Sequence, residues 1–119
     1  MTNKDSTRKS ALSTALDWLT LLDDANYETC WHSSADYFKN GVSLEEWIEK
    51  STSARNAVGT IYSRELVSAV EAEDVVGVTG KCLVCEYKSQ FSTVGEIGER
   101  LTLHLESDGQ WRTIGYYLI

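Results

Sequence analysis

Cys82 and Cys85 are separated by two residues, which is the spacing of a zinc knuckle or of a redox-active pair. Either site needs both sulfur atoms on one side of a turn. The surrounding residues favour a strand, and residues three apart on a strand point to opposite faces. No second pair of Cys or His follows at metal-ligand spacing. We therefore expect no metal, no redox centre and no cofactor, with Cys85 in the core and Cys82 on the opposite face.

The two histidines are the candidates for acid-base chemistry. A nucleophilic Cys30 would need His32 as its base, but residues two apart on a helix project roughly 200° apart. His104 falls in a predicted strand, where it could pair with Glu106 or Glu86 on the outer face of a sheet. Of the two histidines, His104 is therefore the better candidate for an acid-base group.

Three arginines, Arg55, Arg64 and Arg112, are candidates for binding an anion or for holding the structure together. An arginine either pairs with a carboxylate, here Glu99 or Glu65, or cradles an anion with its fork of donors. Structural pairing is the preferred interpretation. Phosphate-binding glycine loops, serine-nucleophile elbows and metalloprotease helices do not occur in the sequence, so no enzyme with one of these signatures is expected.

The elements that position these residues belong to one small domain. The chain has 119 residues, 42% of them hydrophobic and none of them proline, and we predict a flexible segment over 1–9 and a single domain over 10–119. A net charge of −7 repels a phosphate backbone, and the apolar stretches are too short to cross a membrane. Neither nucleic acid nor membrane is an expected partner. The odd number of cysteines fits a reducing compartment, and a cytoplasmic location is expected unless an export signal has been removed, which would make the protein periplasmic or secreted.

Helical spacing of apolar residues gives way to strand-like alternation after Gly59. The pattern predicts helices over 10–23, 27–41 and 43–59, the last beginning with a capping box from Ser43 to Glu46. Strands are predicted near 61–70, 75–91, 99–106 and 110–118, with a break around Gly77 and Gly80. The fold class is α+β: three N-terminal helices packed on a curved four-stranded antiparallel sheet.

The last two strands meet at a hairpin marked by Asp108 and Gly109. A two-residue loop would place Leu101, Leu103 and Leu105 beside Tyr116, Ile114 and Arg112 on the face that meets the helices. The opposite face would then carry His104, Trp111 and Tyr117, a polar and aromatic surface suited to contacts. A three-residue loop would shift one strand by a position and change these facings.

Several landmarks of the sequence occur together in a known pattern. They are Trp18-Leu19, Asp23, Trp31, Trp47, Arg55, Gly59, Ser63-Arg64, Glu99, Gly109-x-Trp111-Arg112 and Gly115-Tyr116. From about residue 11 to residue 119 the chain resembles the bacterial family called domain of unknown function 4019. The closing pattern also resembles the last strand of cone-shaped folds related to nuclear transport factor 2. These resemblances imply helices packed into a curved antiparallel sheet; members of the family often carry an export signal, whereas this chain begins with polar residues.

The first functional hypothesis is a non-catalytic module that binds a protein partner, a second copy of itself or a small apolar ligand. Its sheet face or its helix-sheet cleft would make the contact. The candidate binding residues are His104, Trp111, Tyr117, Arg112, Arg55 and Arg64.

Two alternatives stay open. Some cone-shaped folds move protons with a carboxylate and a tyrosine, which here implies an isomerase- or hydratase-like enzyme using Tyr116, Tyr87 or Tyr62 with Asp36 or Glu99. The same tyrosines could instead pack in the core with their hydroxyls at its rim. The second alternative is an acidic inhibitor that blocks a basic surface on its target, which the negative net charge permits.

Overall fold

Residues 4–119 form four α-helices followed by a four-stranded antiparallel sheet, which confirms the α+β class. We describe residues 4–119 from a computed structural model. The helices are α1 (Lys4–Asp23), α2 (Tyr27–Ser33), α3 (Asp36–Gly41) and α4 (Leu44–Val58). The strands are β1 (Ile61–Glu73), β2 (Lys81–Phe91), β3 (Gly95–Leu105) and β4 (Trp111–Leu118). They follow one another in the sheet in chain order, so β1 and β4 are its edges. The sheet is curved and does not close.

Helix α1 begins at Lys4 and so overlaps the segment predicted to be flexible, whose residues 1–3 lie outside the described part of the chain. The spacing of its apolar residues predicts a buried stripe of Leu12, Ala15, Leu16, Leu19 and Leu22, and the observed stripe is rotated from these positions. Trp18 lies at the centre, only 3% exposed, whereas Leu16 is 51% exposed. The Trp18 indole N–H lies 3.2 Å from the Cys30 carbonyl and 3.1 Å from the Ser34 hydroxyl, both of which can accept its hydrogen bond. These acceptors favour turning Trp18 inward, because a buried indole N–H needs a partner.

The helix predicted over 27–41 is interrupted, and this expectation was wrong. Ser34 and Ala35 adopt extended backbone between α2 and α3. The Ser34 hydroxyl turns back to donate to the Cys30 carbonyl at 2.7 Å, and the Ala35 amide donates to the Thr113 carbonyl at 2.9 Å. A tertiary hydrogen bond to the edge of β4 therefore takes the place of helix continuation.

The ends of α4 agree with the sequence prediction. Ser43 and Glu46 form a reciprocal capping box, each side chain accepting from the other residue's backbone amide at 3.1 Å. Gly59 ends the helix with φ at +92°. A Cβ at this position would come within 2.2 Å of the Ser92 hydroxyl oxygen, so the close approach of the β2–β3 turn also requires glycine.

The hairpin between β3 and β4 has a three-residue loop. The Glu106 amide donates to the Gln110 carbonyl at 2.8 Å, and Gly109 has φ at +84°. The longer loop places Trp111 opposite Leu105. Trp111 is therefore 6% exposed in the main core, and its predicted position on the outer face was wrong.

A bulge in β4 restores the predicted register beyond Thr113. Leu101 faces Tyr116 as predicted, but the register shifts between Thr102 and Leu103 and leaves Ile114 as the extra residue. Ile114 therefore does not pair with Leu103. It joins a second buried cluster with Ala35 and Cys82.

That second cluster explains why Cys82 is buried although it lies on the outer face. Val75 and Val78 pack against it from the connection between β1 and β2, where the predicted break occurs as a short 3₁₀ turn, Val75–Gly77. Cys85 lies on the inner face in the main core, as predicted. Burial raises the pKa of the Cys85 thiol to about 11. Both cysteines are free packing residues on opposite faces of β2.

Candidate functional site

A network of four ionised side chains ties α1 and α4 to the sheet. Arg64 of β1 lies at its centre, with Nη1 2.8 Å from Asp23 Oδ2 and Nε 2.7 Å from Glu99 Oε1. Arg55 of α4 donates from Nη2 to Asp23 Oδ1 at 3.0 Å. All four side chains are at most 19% exposed. Each charge has an opposite partner, so the network can exist in a largely dry interior.

Glu99 is fully buried, and its carboxylate is saturated with donors. Besides Arg64 it accepts the Ser89 hydroxyl at 2.5 Å and the Tyr116 hydroxyl. Burial and the negative charge of Glu99 raise the pKa of Tyr116 well above its usual range. The three arginines were predicted to pair with Glu99 or Glu65, and this is confirmed for Arg64, whereas Arg55 pairs with Asp23 and Arg112 with Asp108. A carboxylate that accepts this many hydrogen bonds is poorly placed to take a proton from a substrate, and we read Glu99 as the anchor of the network.

A polar cavity of about 310 Å³ lies beside the network. Asp23 and Arg55 form part of its wall, and Arg55 also stacks on the Phe91 ring at 5.1 Å. The Arg55 Nη1 atom is buried without a hydrogen-bond partner among the described residues. Of the four residues of the network, only Asp23 and Arg55 line this cavity.

On the outer face of the sheet, His104 joins two loops. Its Nδ1 contacts Glu106, as the sequence predicted, and its Nε2 lies 2.8 Å from the Thr79 carbonyl. Arg112 forms a forked pair with Asp108 at 3.0 and 2.9 Å within the hairpin loop. Both ring nitrogens and the guanidinium fork are thus engaged with the protein itself, which favours a structural role for this cluster.

A groove lies between α3, α4 and the edge of β4. Its volume is about 790 Å³. Four residues of α4 form one wall, at the spacing of a single helical face: Trp47, Lys50, Ser51 and Ala54. The other walls are formed by Tyr37, Phe38, Asn40, Gly41 and Val42 from the α3 side and by Ile114, Gly115, Tyr116, Tyr117 and Leu118 of β4.

The groove is mainly apolar and aromatic, with few polar groups. Lys50 carries the only side-chain charge among the described residues that line it. Ser51 is 6% exposed, and its hydroxyl has no hydrogen-bond partner among the described residues. Two potential donors therefore stand next to each other in sequence on the same helical face.

The free edge of β4 borders the groove. Gly98 and Ile119 exchange both backbone hydrogen bonds, at 3.0 and 2.8 Å. Bonded pairs alternate in an antiparallel ladder, so the peptide groups of Tyr117 point to β3. Those of Tyr116 and Leu118 point away from β3, toward the edge of the sheet.

The predicted binding residues do not converge on one site. Arg55 and Arg64 belong to the ion network, His104 and Arg112 to the outer-face loops, and Trp111 to the core. Tyr117, 61% exposed, lines the groove. Sequence reasoning missed Lys50 and Ser51, although two polar residues among the apolar positions of α4 were a signal.

The fold and these sites define a small α+β protein with a closed ion network and an open aromatic groove. The family described as "Protein of unknown function (DUF4019)" matches residues 14–116, and the chain belongs to that family. The cone shape suggested by the last strand stays a prediction. No curated protein matches the chain. None of the helices in the described part of the chain is long and apolar enough to cross a membrane.

Proposed function

We propose that this protein is a non-catalytic module that binds a small apolar ligand in the groove between α3, α4 and β4. The observation that carries the proposal is an aromatic groove of about 790 Å³ that the protein's own side chains leave unfilled. Small-molecule sites are typically concave, about 300–1,000 Å³ in volume, and apolar with a few placed polar groups. The groove has this size and this balance.

The aromatic residues of the groove are held in place from behind. Trp47 donates its indole N–H to the Tyr27 carbonyl at 2.8 Å and packs edge-on against Phe38, with ring centroids 5.1 Å apart. The Tyr116 hydroxyl is held by Glu99. Walls fixed in this way favour binding, because little side-chain freedom remains to be lost when a ligand enters.

The indole N–H signals of a ¹⁵N-labelled sample would test the proposal. Decanol titrated into the protein should shift the signal of Trp47, which lines the groove, and leave that of the core residue Trp111 unmoved. An Ala54→Trp variant, which fills the groove from α4, should abolish the shift. An unmoved Trp47 signal, equal movement of Trp111, or an unchanged response in A54W would each count against the groove.

A second candidate function is supported by the free edge of β4, which could pair with an extended apolar segment of a partner protein or of a second copy. Leu118→Pro removes an amide that points away from β3, so it should block strand addition while the sheet stays intact. Tyr117→Pro removes an amide bonded to β3 and serves as the destabilised control. If apolar peptides selected from a random library bind wild type and L118P equally, strand addition does not occur.

A further inference from the structure

We infer that the ligand of the groove is an amphiphilic carboxylate whose head group is bound by Lys50 and Ser51. The inference rests on the proposed function and names the chemical class of its ligand. It is carried by the charge of one lining residue and by the unused hydroxyl of the next.

Lys50 brings a cation to the groove, and its charge adds to the lowering of the pKa of Glu46, one helical turn earlier. No carboxylate among the described residues lies within 4.0 Å of its ammonium group. Glu46, one helical turn earlier, is held by the Ser43 amide in the capping box, and that hydrogen bond is the largest cause that lowers the pKa of Glu46. The Glu46 carboxylate is thus already held at the start of α4, and Glu49, which directly precedes Lys50, projects about 100° away around the helix and does not line the groove.

Ser51 supplies the second donor. A serine within a helix can donate to the carbonyl four residues earlier, which here is that of Trp47. The Ser51 hydroxyl makes no such bond and is buried in the wall of the groove. Since a buried hydroxyl without a partner is costly, an acceptor oxygen supplied by a ligand would satisfy it.

The two donors together fit a carboxylate better than other head groups. A carboxylate carries one negative charge and two acceptor oxygens, which match one ammonium and one hydroxyl. A protonated amine would be repelled by Lys50, and an alcohol would leave the charge of Lys50 unpaired. The whole chain carries a net charge of −7, so an anion gains nothing from the protein as a whole and depends on this local cation.

Calorimetric titrations with decanoate, decanol and decylamine, which share one chain length, test the inference. Each is used below its micelle concentration. Decanoate should bind on the order of tenfold more tightly than decanol, as expected for a hydrogen bond to a charged group, and decylamine more weakly than either. Lys50→Met should reduce decanoate binding to the level of decanol, and Ser51→Ala should cause a smaller loss.

Two controls separate the local charge from the net charge and from unfolding. Lys88→Met makes the same change in net charge on an exposed strand residue outside the groove and should leave decanoate binding unchanged. Lys50→Arg keeps the charge and should restore binding. Unchanged binding of decanol by K50M shows that the variant is folded.

The outcomes distinguish this inference from the function on which it rests. If none of the three compounds binds, the proposed function itself fails. If decanol binds as tightly as decanoate, or if K50M and K88M bind decanoate equally well, the groove binds apolar ligands but the carboxylate assignment is overturned.

Discussion

The ion network and the groove lie on either side of Tyr116, and they differ in how many of their polar groups have hydrogen-bond partners. In the network, Glu99 accepts donors from three other side chains and is closed to solvent. In the groove, the Ser51 hydroxyl has no hydrogen-bond partner among the described residues, and Lys50 has no carboxylate of those residues within 4.0 Å. The polar groups of the network hold the fold together, and among them only Arg55 Nη1 lacks a partner in the described residues, whereas the donors of the groove are the ones that we propose meet a ligand. The contrast supports a structural role for the network and the proposed binding role for the groove.

The largest effect should come from the network. Glu99→Ala leaves Arg64 without one of its two acidic partners, and breaking a buried pair in this way costs about 3–5 kcal/mol of unfolding free energy. Urea denaturation measures the loss. The matched control is Glu86→Ala, which breaks an exposed pair with Arg100 at 2.7 Å and should cost no more than about 1 kcal/mol. Equal losses in the two variants would show that the network is not the structural region.

The second largest effect should be a loss of folding stability at alkaline pH, caused by the buried thiols of the core. Burial raises the pKa of the Cys30 thiol from 9.0 to about 12 and that of Cys85 from 9.0 to about 11. Above pH 9.0 the unfolded thiols lose their protons while the folded ones keep them, so the unfolded state binds fewer protons. Stability that is complete below that pH therefore falls as pH rises toward the folded values.

Thermal unfolding followed across this pH range measures the effect. The same protonated thiols should resist a disulfide reagent in the folded protein at neutral pH and react once urea unfolds it. Rapid labelling of Cys30 or Cys85 without unfolding would contradict their placement in the core.

Tyr116 contributes to both regions, so its hydroxyl and its ring can be separated. Tyr116→Phe removes the donor to Glu99 and keeps the ring in the groove wall. We expect a loss of about 1–3 kcal/mol in unfolding free energy, because an acceptor of the buried network loses a partner. Ligand affinity in the groove should stay unchanged. A variant that loses affinity but not stability would reverse the roles of hydroxyl and ring.

The smallest effect should come from Ser51. Ser51→Ala removes a buried hydroxyl that has no partner and substitutes a better helix former, so stability should stay the same or rise by about 0.5 kcal/mol. Urea denaturation measures this as well. A loss of more than about 1 kcal/mol would mean that the hydroxyl has a structural partner, and the contrast between the two regions would weaken.

Features set by local chemistry were predictable from the sequence. The capping box at Ser43 and the helix end at Gly59 depend on neighbouring residues, and both occur where expected. The break at Ser34 was not predictable, because it depends on contacts with Trp18 and Thr113 from distant parts of the chain. Trp111 was misplaced for a similar reason, since one extra loop residue reverses the facing of a strand.

The candidate site was predictable only in part. The pair of Arg64 with Glu99 was expected from their opposite charges. The second hydrogen bond of Arg64, to Asp23, was not expected, because it depends on where α1 ends over the sheet. The groove exists because α4 and the edge of β4 do not close over the space between them. A void of this kind depends on tertiary packing, so Lys50 looked like an ordinary surface residue in the sequence.

A crystal structure of the protein with decanoate would test the central claim most directly. We expect the alkyl chain to lie against Trp47 and Tyr116 and the carboxylate to be within hydrogen-bonding distance of Lys50 Nζ and Ser51 Oγ. Decanoate bound elsewhere, or bound in the groove with its carboxylate turned away from Lys50, would contradict it.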